Sequence, residues 1–134
     1  MKIYIDENLK IKNQKNIISE FCAYCADNLP IEGGFEVHLV SERKPYGIAT
    51  TAAYIVGENK CYIYCKNRAL PDCMRSIAHE MTHMMQDQTG LIVGKIRDAG
   101  GFHEDQANSR AGELLKKFVK ASDERKKIFE RRSY

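Results

Sequence analysis

Residues 71–88 read PDCMRSIAHEMTHMMQDQ, a stretch that is typical of one long helix. Pro71 is favoured in the first turn of a helix, and Gly90 supplies a stop signal just beyond the segment. The pattern HExxH lies inside this stretch, at residues 79–83. Residues four apart on a helix share one face, so both imidazoles of the pattern can reach a single metal ion.

His79 and His83 suit zinc, because zinc binds imidazole nitrogen and makes water acidic enough to react near neutral pH. Glu80 lies about 100° around the helix from His79, beside the metal, where it can accept a proton from the attacking water. The residues that flank the pattern are uncharged, as a buried site requires: Ile77, Ala78, Met84 and Met85. Two surface histidines on a helix are the alternative interpretation.

A catalytic zinc ion usually has three protein ligands and one open position, so a further ligand is needed. Glu104 is the best candidate, because it opens the next predicted helix and the 20 intervening residues allow that helix to dock antiparallel to the first. Asn108 stands one turn after Glu104 and could accept the free N–H of a liganding imidazole. The other candidate ligands are His103, Asp105 and His38.

The remaining sequence predicts a small sheet and two further helices. Four short segments are rich in β-branched and aromatic residues and are typical of strands: 2–5, 35–41, 48–56 and 61–66. The last two are interpreted as a hairpin that turns at Gly57. Helices are predicted over 14–28 and 103–121, and a glycine-rich connection over 91–102. This order favours an α+β fold with a three- to four-stranded antiparallel sheet.

One domain over residues 1–121 and a basic C-terminal tail over residues 122–134 account for the chain, since 134 residues suffice for one core. The net charge is +3, yet residues 116–134 carry eight lysines and arginines against three acidic residues. Because the basic excess is confined to this end, nucleic acid is not expected as a partner. The chain has no run of about 18 apolar residues and no secretory leader, which indicates a cytoplasmic protein without a membrane partner.

The five cysteines are interpreted as buried free thiols. Their odd number, in a chain without a secretory leader, argues against a disulfide framework. Cys22 and Cys25 form a CxxC pair, but they also lie on the apolar stripe of the helix predicted over 14–28. An accessory metal site or redox chemistry at this pair is the alternative. The other three are Cys61, Cys65 and Cys73.

The HExxH pattern and the sequence EDQANSRAGELL at residues 104–115 together resemble the gluzincin zinc peptidases. The likeness is strongest to the small ImmA/IrrE-like group, to minimal gluzincins and to short HExxH proteins of large tailed bacteriophages, and it covers residues 46–121. Gln86 and Thr89 exclude the metzincin pattern, which has glycine and histidine there. Gln106 replaces a carboxylate common in the ImmA/IrrE-like group, a change that we expect to leave the metal site intact.

This resemblance implies a zincin-like fold and a site built from both predicted helices. It implies Zn²⁺ held by His79, His83 and Glu104, with Glu80 as the general base. It also places Asn108 where gluzincins hold an Asp or Asn beside a liganding histidine. The activity that it implies is hydrolysis of peptide bonds in a peptide or protein substrate.

The sequence predicts the path of the substrate and the donor to the oxyanion less clearly than it predicts the metal ligands. In gluzincins the substrate lies antiparallel along an edge strand, and residues 48–55 are the candidate edge here. Tyr46, Tyr54 and Arg110 are candidate donors to the developing oxyanion, although a structural role is the favoured interpretation of each. Two other classes of function are alternatives: a catalytically inactive zinc-binding structural or interaction module, such as a phage component, and a regulator that binds nucleic acid through its basic tail.

Overall fold

The computed structural model describes residues 1–91 and 101–130. Four strands lie in this part of the chain: β1 (Lys2–Ile5), β2 (Glu36–Val40), β3 (Ala52–Ile55) and β4 (Lys60–Tyr64). The same part contains four α-helices: α1 (Lys15–Asn28), α2 (Leu70–Gln88), α3 (Phe102–Lys120) and α4 (Asp123–Glu130). Short 3-10 helices precede α1 and β3, at Lys10–Gln14 and Lys44–Tyr46. Residues 92–100, most of the predicted connection, and residues 131–134 of the predicted tail lie outside the described residues.

The α+β class is confirmed, and α1, α2 and α3 each begin and end within one residue of their predicted bounds. The signals that mark the ends of α2 are those expected. Pro71 and Asp72 lie in its first turn, where a missing N–H and a carboxylate are both favourable. At the other end, Gly90 has a φ of 78°, a left-handed conformation that glycine adopts without a steric penalty.

The four strands form one mixed sheet in the order β1-β2-β4-β3. Among the described strands β1 and β2 pair parallel, β2 and β4 pair parallel, and β3 pairs antiparallel with β4. The prediction of an antiparallel sheet is therefore wrong. Because α1 lies between β1 and β2, the chain crosses back before the second strand begins, as parallel pairing requires. The β3–β4 hairpin then inserts β4 beside β2, which leaves β3 at the edge.

The predicted hairpin is present, although its first strand is shorter than expected. β3 covers Ala52–Ile55, whereas the sequence predicted a strand over residues 48–56. Arg43 holds the preceding segment through a hydrogen bond from its Nε to the Thr50 carbonyl, at 2.6 Å. This segment lies beside the sheet and, as described below, forms part of the wall of a cleft.

The hydrophobic core lies on one face of the sheet. Alternate residues of the central strands are fully buried there: Val37, Leu39, Cys61 and Ile63. Buried side chains of α1, α2 and α3 belong to the same cluster. His38 stacks between Tyr4 and Tyr62, at ring-centroid distances of 4.5 and 4.9 Å, and its alternation with Val37 and Leu39 places it on the opposite face. It is a cross-strand partner, not a ligand.

The five cysteines are free and buried, as predicted. Burial raises the pKa of the Cys22 thiol to about 12, so this thiol stays protonated at neutral pH. Burial also raises the pKa of Cys25 and Cys61. The CxxC pair therefore belongs to the core in the described structure, and a metal-binding or redox role for it is not supported.

The predicted basic tail begins with a helix that packs on the rest of the domain. The Arg125 guanidinium of α4 lies 3.7 Å from the ring centroid of Phe118, and its Nη1 donates to the Phe118 carbonyl at 2.9 Å. The positive charge of Arg125 is therefore engaged by a contact within the domain. Among the described residues, no helix combines the length and the apolarity needed to cross a bilayer.

Candidate metal centre

α2 and α3 pack against each other in antiparallel orientation, as expected from the length of their connection. Towards the end of α2, Gln86 contacts the carbonyl of His103, at the start of α3. His83 contacts Glu104, and His79, one turn earlier on α2, hydrogen-bonds with Asn108, one turn later on α3. The contacts therefore approach the start of α2 as they approach the end of α3, which is the antiparallel arrangement. Ala107 and Ala111, both fully buried, let the helices approach closely.

The two histidines and Glu104 form one compact group of potential ligands. Nε2 of His83 lies 2.7 Å from one Glu104 oxygen, and Nε2 of His79 lies 3.2 Å from the other. One ligand atom from each of the three residues falls within 4.8 Å of the others. Glu104 stands in the first turn of α3, where the helix dipole favours a carboxylate. These three residues could hold a metal ion.

The alternative ligands do not join this group in the described structure. His103 and Asp105 flank Glu104 on α3 but contribute no ligand atom, and His38 is stacked on the sheet. The three residues brought together are those that the sequence favoured. The histidines are also not surface residues, since the side chain of His83 is only 2% exposed and that of His79 is 21% exposed.

Gln86 fixes the orientation of His83. The side-chain oxygen of Gln86 lies 2.8 Å from Nδ1 of His83, and its nitrogen lies 3.0 Å from the carbonyl oxygen of His103. A peptide carbonyl can only accept, so the amide nitrogen must face it and the amide oxygen must face the ring. Nδ1 of His83 therefore donates, and in the neutral ring this leaves the lone pair on Nε2, the nitrogen that faces Glu104. This is the tautomer that binds a metal.

Gln106 completes this network. The side-chain nitrogen of Gln86 donates its second hydrogen to the Gln106 oxygen, at 2.8 Å, so the fully buried Gln86 amide has a partner for each polar group. Sequence reasoning treated Gln86 only as a departure from the metzincin pattern and missed its role. Its position one turn after His83 was a usable signal, but the deciding contact comes from α3.

Asn108 contacts the other histidine. Its place one turn after Glu104 brings its side chain beside His79, where its oxygen can accept a hydrogen bond from the ring. Burial, and then the neighbouring His83, lower the pKa of His79, while Glu104 and Asn108 act in the opposite direction. The net effect favours the neutral imidazole, which is the form that coordinates a metal.

Glu80 lies beside the ligand group and is not part of it. One of its oxygens is 3.7 Å from Nε2 of His79, and the side chain is 8% exposed. It faces a cleft of about 470 Å³ that also reaches His79, His83 and Glu104. The helical geometry thus gives Glu80 the position that the pattern predicted, close to the metal position and open to a bound molecule.

The group of potential ligands formed by His79, His83 and Glu104 is called the metal group below. The cleft runs between this metal group and the edge of the sheet. We use the term cleft for this cavity, whose walls are α2, α3, β3 and the segment of residues 47–51 before β3. Ala52 and Ala53 line the wall formed by the edge strand. The predicted edge is thus adjacent to the metal group, although only residues 52–55 of it form a strand.

The three candidate oxyanion donors are engaged elsewhere. Tyr54 lines the cleft, but its hydroxyl donates to Asp87 at 2.5 Å. Arg110 pairs with Glu113 and donates to the Asn28 carbonyl. Tyr46 stacks on Tyr62, at a ring-centroid distance of 4.8 Å, and is not among the residues that line the cleft. None of the three presents a free donor to the metal group within the described part of the chain.

Arg75 is a cleft residue that sequence reasoning did not single out. It lies on α2 four residues before His79, so it shares the face that carries both histidines. Its side chain is exposed and lines the cleft. The spacing of four residues was a signal for this placement, but an arginine at such a position is usually a solvated surface residue.

Comparison of the chain with models of protein families, with curated protein sequences and with solved structures finds no significant match. The likeness to gluzincins therefore depends on the residues quoted above. The geometry of those residues supplies the basis for a functional proposal.

Proposed function

We propose that this protein is a zinc-dependent peptidase with a zincin-like active site. The observation that carries the proposal is the convergence of His79, His83 and Glu104 within 4.8 Å beside an open cleft. Glu80 stands next to this group and faces the same cleft. A purely structural metal site would have no use for an adjacent buried carboxylate and a cavity for a further molecule.

The set of donors favours zinc over harder cations. Two imidazole nitrogens and one carboxylate oxygen match the ligands of hydrolytic zinc sites, whereas calcium and magnesium take oxygen ligands. The Gln86 contact engages Nδ1 of His83 and leaves Nε2 facing the group, and His79 is favoured in its neutral form. Both histidines are therefore prepared to coordinate before any ion arrives.

Glu80 is the proposed general base. A bound zinc ion supplies Lewis acidity, which polarises a peptide carbonyl and acidifies water. Glu80 accepts the proton of the attacking water and delivers it to the leaving amine nitrogen, which completes the cleavage. His79, His83 and Glu104 hold the centre in place, and the bonds from Gln86 and Asn108 keep the two rings from rotating.

An extended peptide fits the wall of the cleft formed by β3. This strand is at the edge of the sheet, so the side of its backbone that faces away from β4 is available for pairing. Ala52 and Ala53 are small and allow a peptide backbone to approach. Pairing of a substrate with this edge would position a scissile carbonyl over the metal group by main-chain hydrogen bonds.

The test separates metal binding from catalysis. We expect elemental analysis of the purified protein to find about one zinc per chain, and a quenched-fluorescence peptide library to be hydrolysed. Glu80→Gln should retain zinc and lower kcat by about 10²- to 10⁴-fold, the usual contribution of a general base. Glu113→Gln, an exposed change on α3, is the matched control and should leave both properties unchanged.

Two outcomes would contradict the proposal. Stoichiometric zinc without hydrolysis of any peptide by the wild-type protein would indicate an inactive zinc-binding module. A protein without zinc, whose properties do not change in His79→Ala, would exclude the metal site altogether.

A further inference from the structure

Arg75 is the one arginine in residues 1–91 and 101–130 that has no hydrogen bond, ion pair or ring contact with another described residue. The other four described arginines are all engaged by backbone carbonyls, carboxylates or aromatic rings: Arg43, Arg68, Arg110 and Arg125. The contrast is informative because these arginines hold the fold together, whereas Arg75 is exposed at the cleft. Its guanidinium is available to a bound molecule.

The position of Arg75 relates it directly to the metal group. Residues four apart on a helix have Cβ atoms about 5–6 Å apart, so the base of Arg75 lies one turn from His79 along the floor of the cleft. An extended peptide advances about 3.4 Å per residue. Because the arginine side chain is itself several ångströms long, a group that Arg75 contacts would belong to a residue within a few positions of the scissile bond.

The charges in the cleft define what Arg75 would select. Glu80 and Glu104 place two carboxyl groups at the metal end, and among the described lining residues Arg75 supplies the cation. With Zn²⁺ bound, the charge of the ion offsets these two carboxyl groups, so Arg75 would leave the cleft able to attract an anionic group on a substrate. The planar guanidinium binds a carboxylate through two parallel hydrogen bonds, which gives both affinity and orientation.

We propose that Arg75 is a specificity-determining residue that binds a carboxylate of the substrate close to the bond to be cleaved. The proposal deepens the peptidase function and rests on it. The carboxylate comes either from an Asp or Glu side chain or from the carboxyl terminus of the peptide. In both cases the substrate class is an acidic peptide segment.

The test uses alanine-rich, internally quenched octapeptides in which one Glu or Gln is moved along the sequence. Each peptide is made with a free and with an amidated carboxyl terminus. We expect the zinc-loaded wild-type protein to prefer the carboxylate-bearing member of a pair by about 10- to 100-fold in kcat/KM, the scale of a hydrogen bond to a charged group. A preference that persists in amidated peptides identifies a side-chain carboxylate, and one that requires the free terminus identifies the terminal carboxylate.

Variants at two arginines decide whether Arg75 is responsible. In Arg75→Gln the preference ratio should fall to near one, and Arg75→Lys should retain part of it because the charge remains without the planar pair of donors. Arg110→Gln is the matched control, since Arg110 does not line the cleft, and it should keep the wild-type ratio. A wild-type enzyme with no preference, or an Arg75→Gln variant that keeps it, would overturn the proposal.

A binding measurement distinguishes failure of this inference from failure of the proposed function. Fluorescence anisotropy with labelled versions of the same peptides is performed on zinc-loaded Glu80→Gln, with and without Arg75→Gln. Hydrolysis without any carboxylate preference would exclude the role of Arg75 alone. Absence of hydrolysis, combined with carboxylate-dependent binding that Arg75→Gln abolishes, would exclude the peptidase while leaving the carboxylate site in place.

Discussion

The two ends of α3 face the rest of the domain with opposite chemistry. At its start, Glu104 and Asn108 meet the histidines of α2, and the contacts are polar. Towards its end, Phe118 is fully buried and packs edge-on against the rings of Phe21 and Tyr24, at centroid distances of 5.0 and 5.5 Å. One helix thus serves two purposes, because each end meets a different part of the molecule.

The difference indicates that stability and ligand binding are separated along this helix. Burial of aromatic rings contributes to folding whether or not a ligand is bound. The polar end instead brings a carboxylate and two imidazoles together. This cluster contributes its full stabilisation only when a cation lies between them. The following predictions test this separation, from the largest expected effect to the smallest.

Loss of the Phe118 ring should reduce stability without altering the metal site. Phe118→Ala removes a fully buried aromatic side chain, and such changes cost about 3–5 kcal/mol in the free energy of unfolding. Chemical denaturation measures this loss, and zinc stoichiometry of the folded variant should stay as in the wild type. Phe102→Ala is the control on the same helix, because Phe102 is 64% exposed, and it should change stability by less than about 0.5 kcal/mol.

A small effect of Phe118→Ala on stability would show that the aromatic end of α3 contributes little to folding. Loss of zinc by the folded variant would show that the two ends of α3 are not independent.

Zinc should stabilise the protein through the polar end. A ligand that binds only the folded state at about 100 times its Kd raises the free energy of unfolding by about 2.7 kcal/mol. We expect thermal denaturation with and without a chelator to show this difference in the wild type. Glu104→Gln should lose most of it, because a neutral amide is a much weaker zinc ligand than a carboxylate.

Glu113→Gln changes an exposed carboxyl group on the same helix and should respond to zinc as the wild type does. Equal stabilisation of Glu104→Gln and the wild type would remove Glu104 from the metal site.

Loss of the Gln86 contact should weaken the metal site without destroying it. Gln86→Leu leaves Nδ1 of His83 without an acceptor, and the loss of such a partner usually lowers metal affinity by about 10- to 100-fold. Competition with a chromophoric zinc chelator measures the affinity. Gln88→Leu is the control on the same helix, because Gln88 bonds to Glu32 and Asn59 instead of the histidines.

An unchanged zinc affinity in Gln86→Leu would mean that His83 holds its tautomer by other means. A similar loss in Gln88→Leu would mean that the effect comes from general damage to α2.

Much of the candidate site was accessible from the sequence because it depends on helical periodicity. The spacing of His79 and His83 fixes their common face, and the same rule places Asn108 one turn from Glu104. Helix bounds followed from local signals such as Pro71 and Gly90. These features need only a few neighbouring residues, so a single sequence predicts them well.

The features that the sequence did not predict depend on contacts between distant parts of the chain. The parallel pairing of β1 with β2 follows from the crossover made by α1, and the pairing of β4 with β2 follows from where the β3–β4 hairpin docks, so the strand signals alone could not reveal a mixed sheet. The role of Gln86 depends on the His103 carbonyl, which another helix supplies. Tyr54 is engaged structurally, the interpretation that the sequence favoured, but its partner Asp87 could not be predicted because another element, α2, supplies it.

The sequence by itself determined the chemical content of the protein: a helix with two histidines on one face, a glutamate beside them, and buried cysteines that form no disulfide. These follow from residue identity and from a period of 3.6 residues per turn, which no distant contact alters. Only the tertiary structure decided that Glu104 completes the group, that Gln86 sets the His83 tautomer, and that Arg75 is exposed at a cleft beside an edge strand. Each of these depends on which surfaces pack together, and packing is a property of the whole chain.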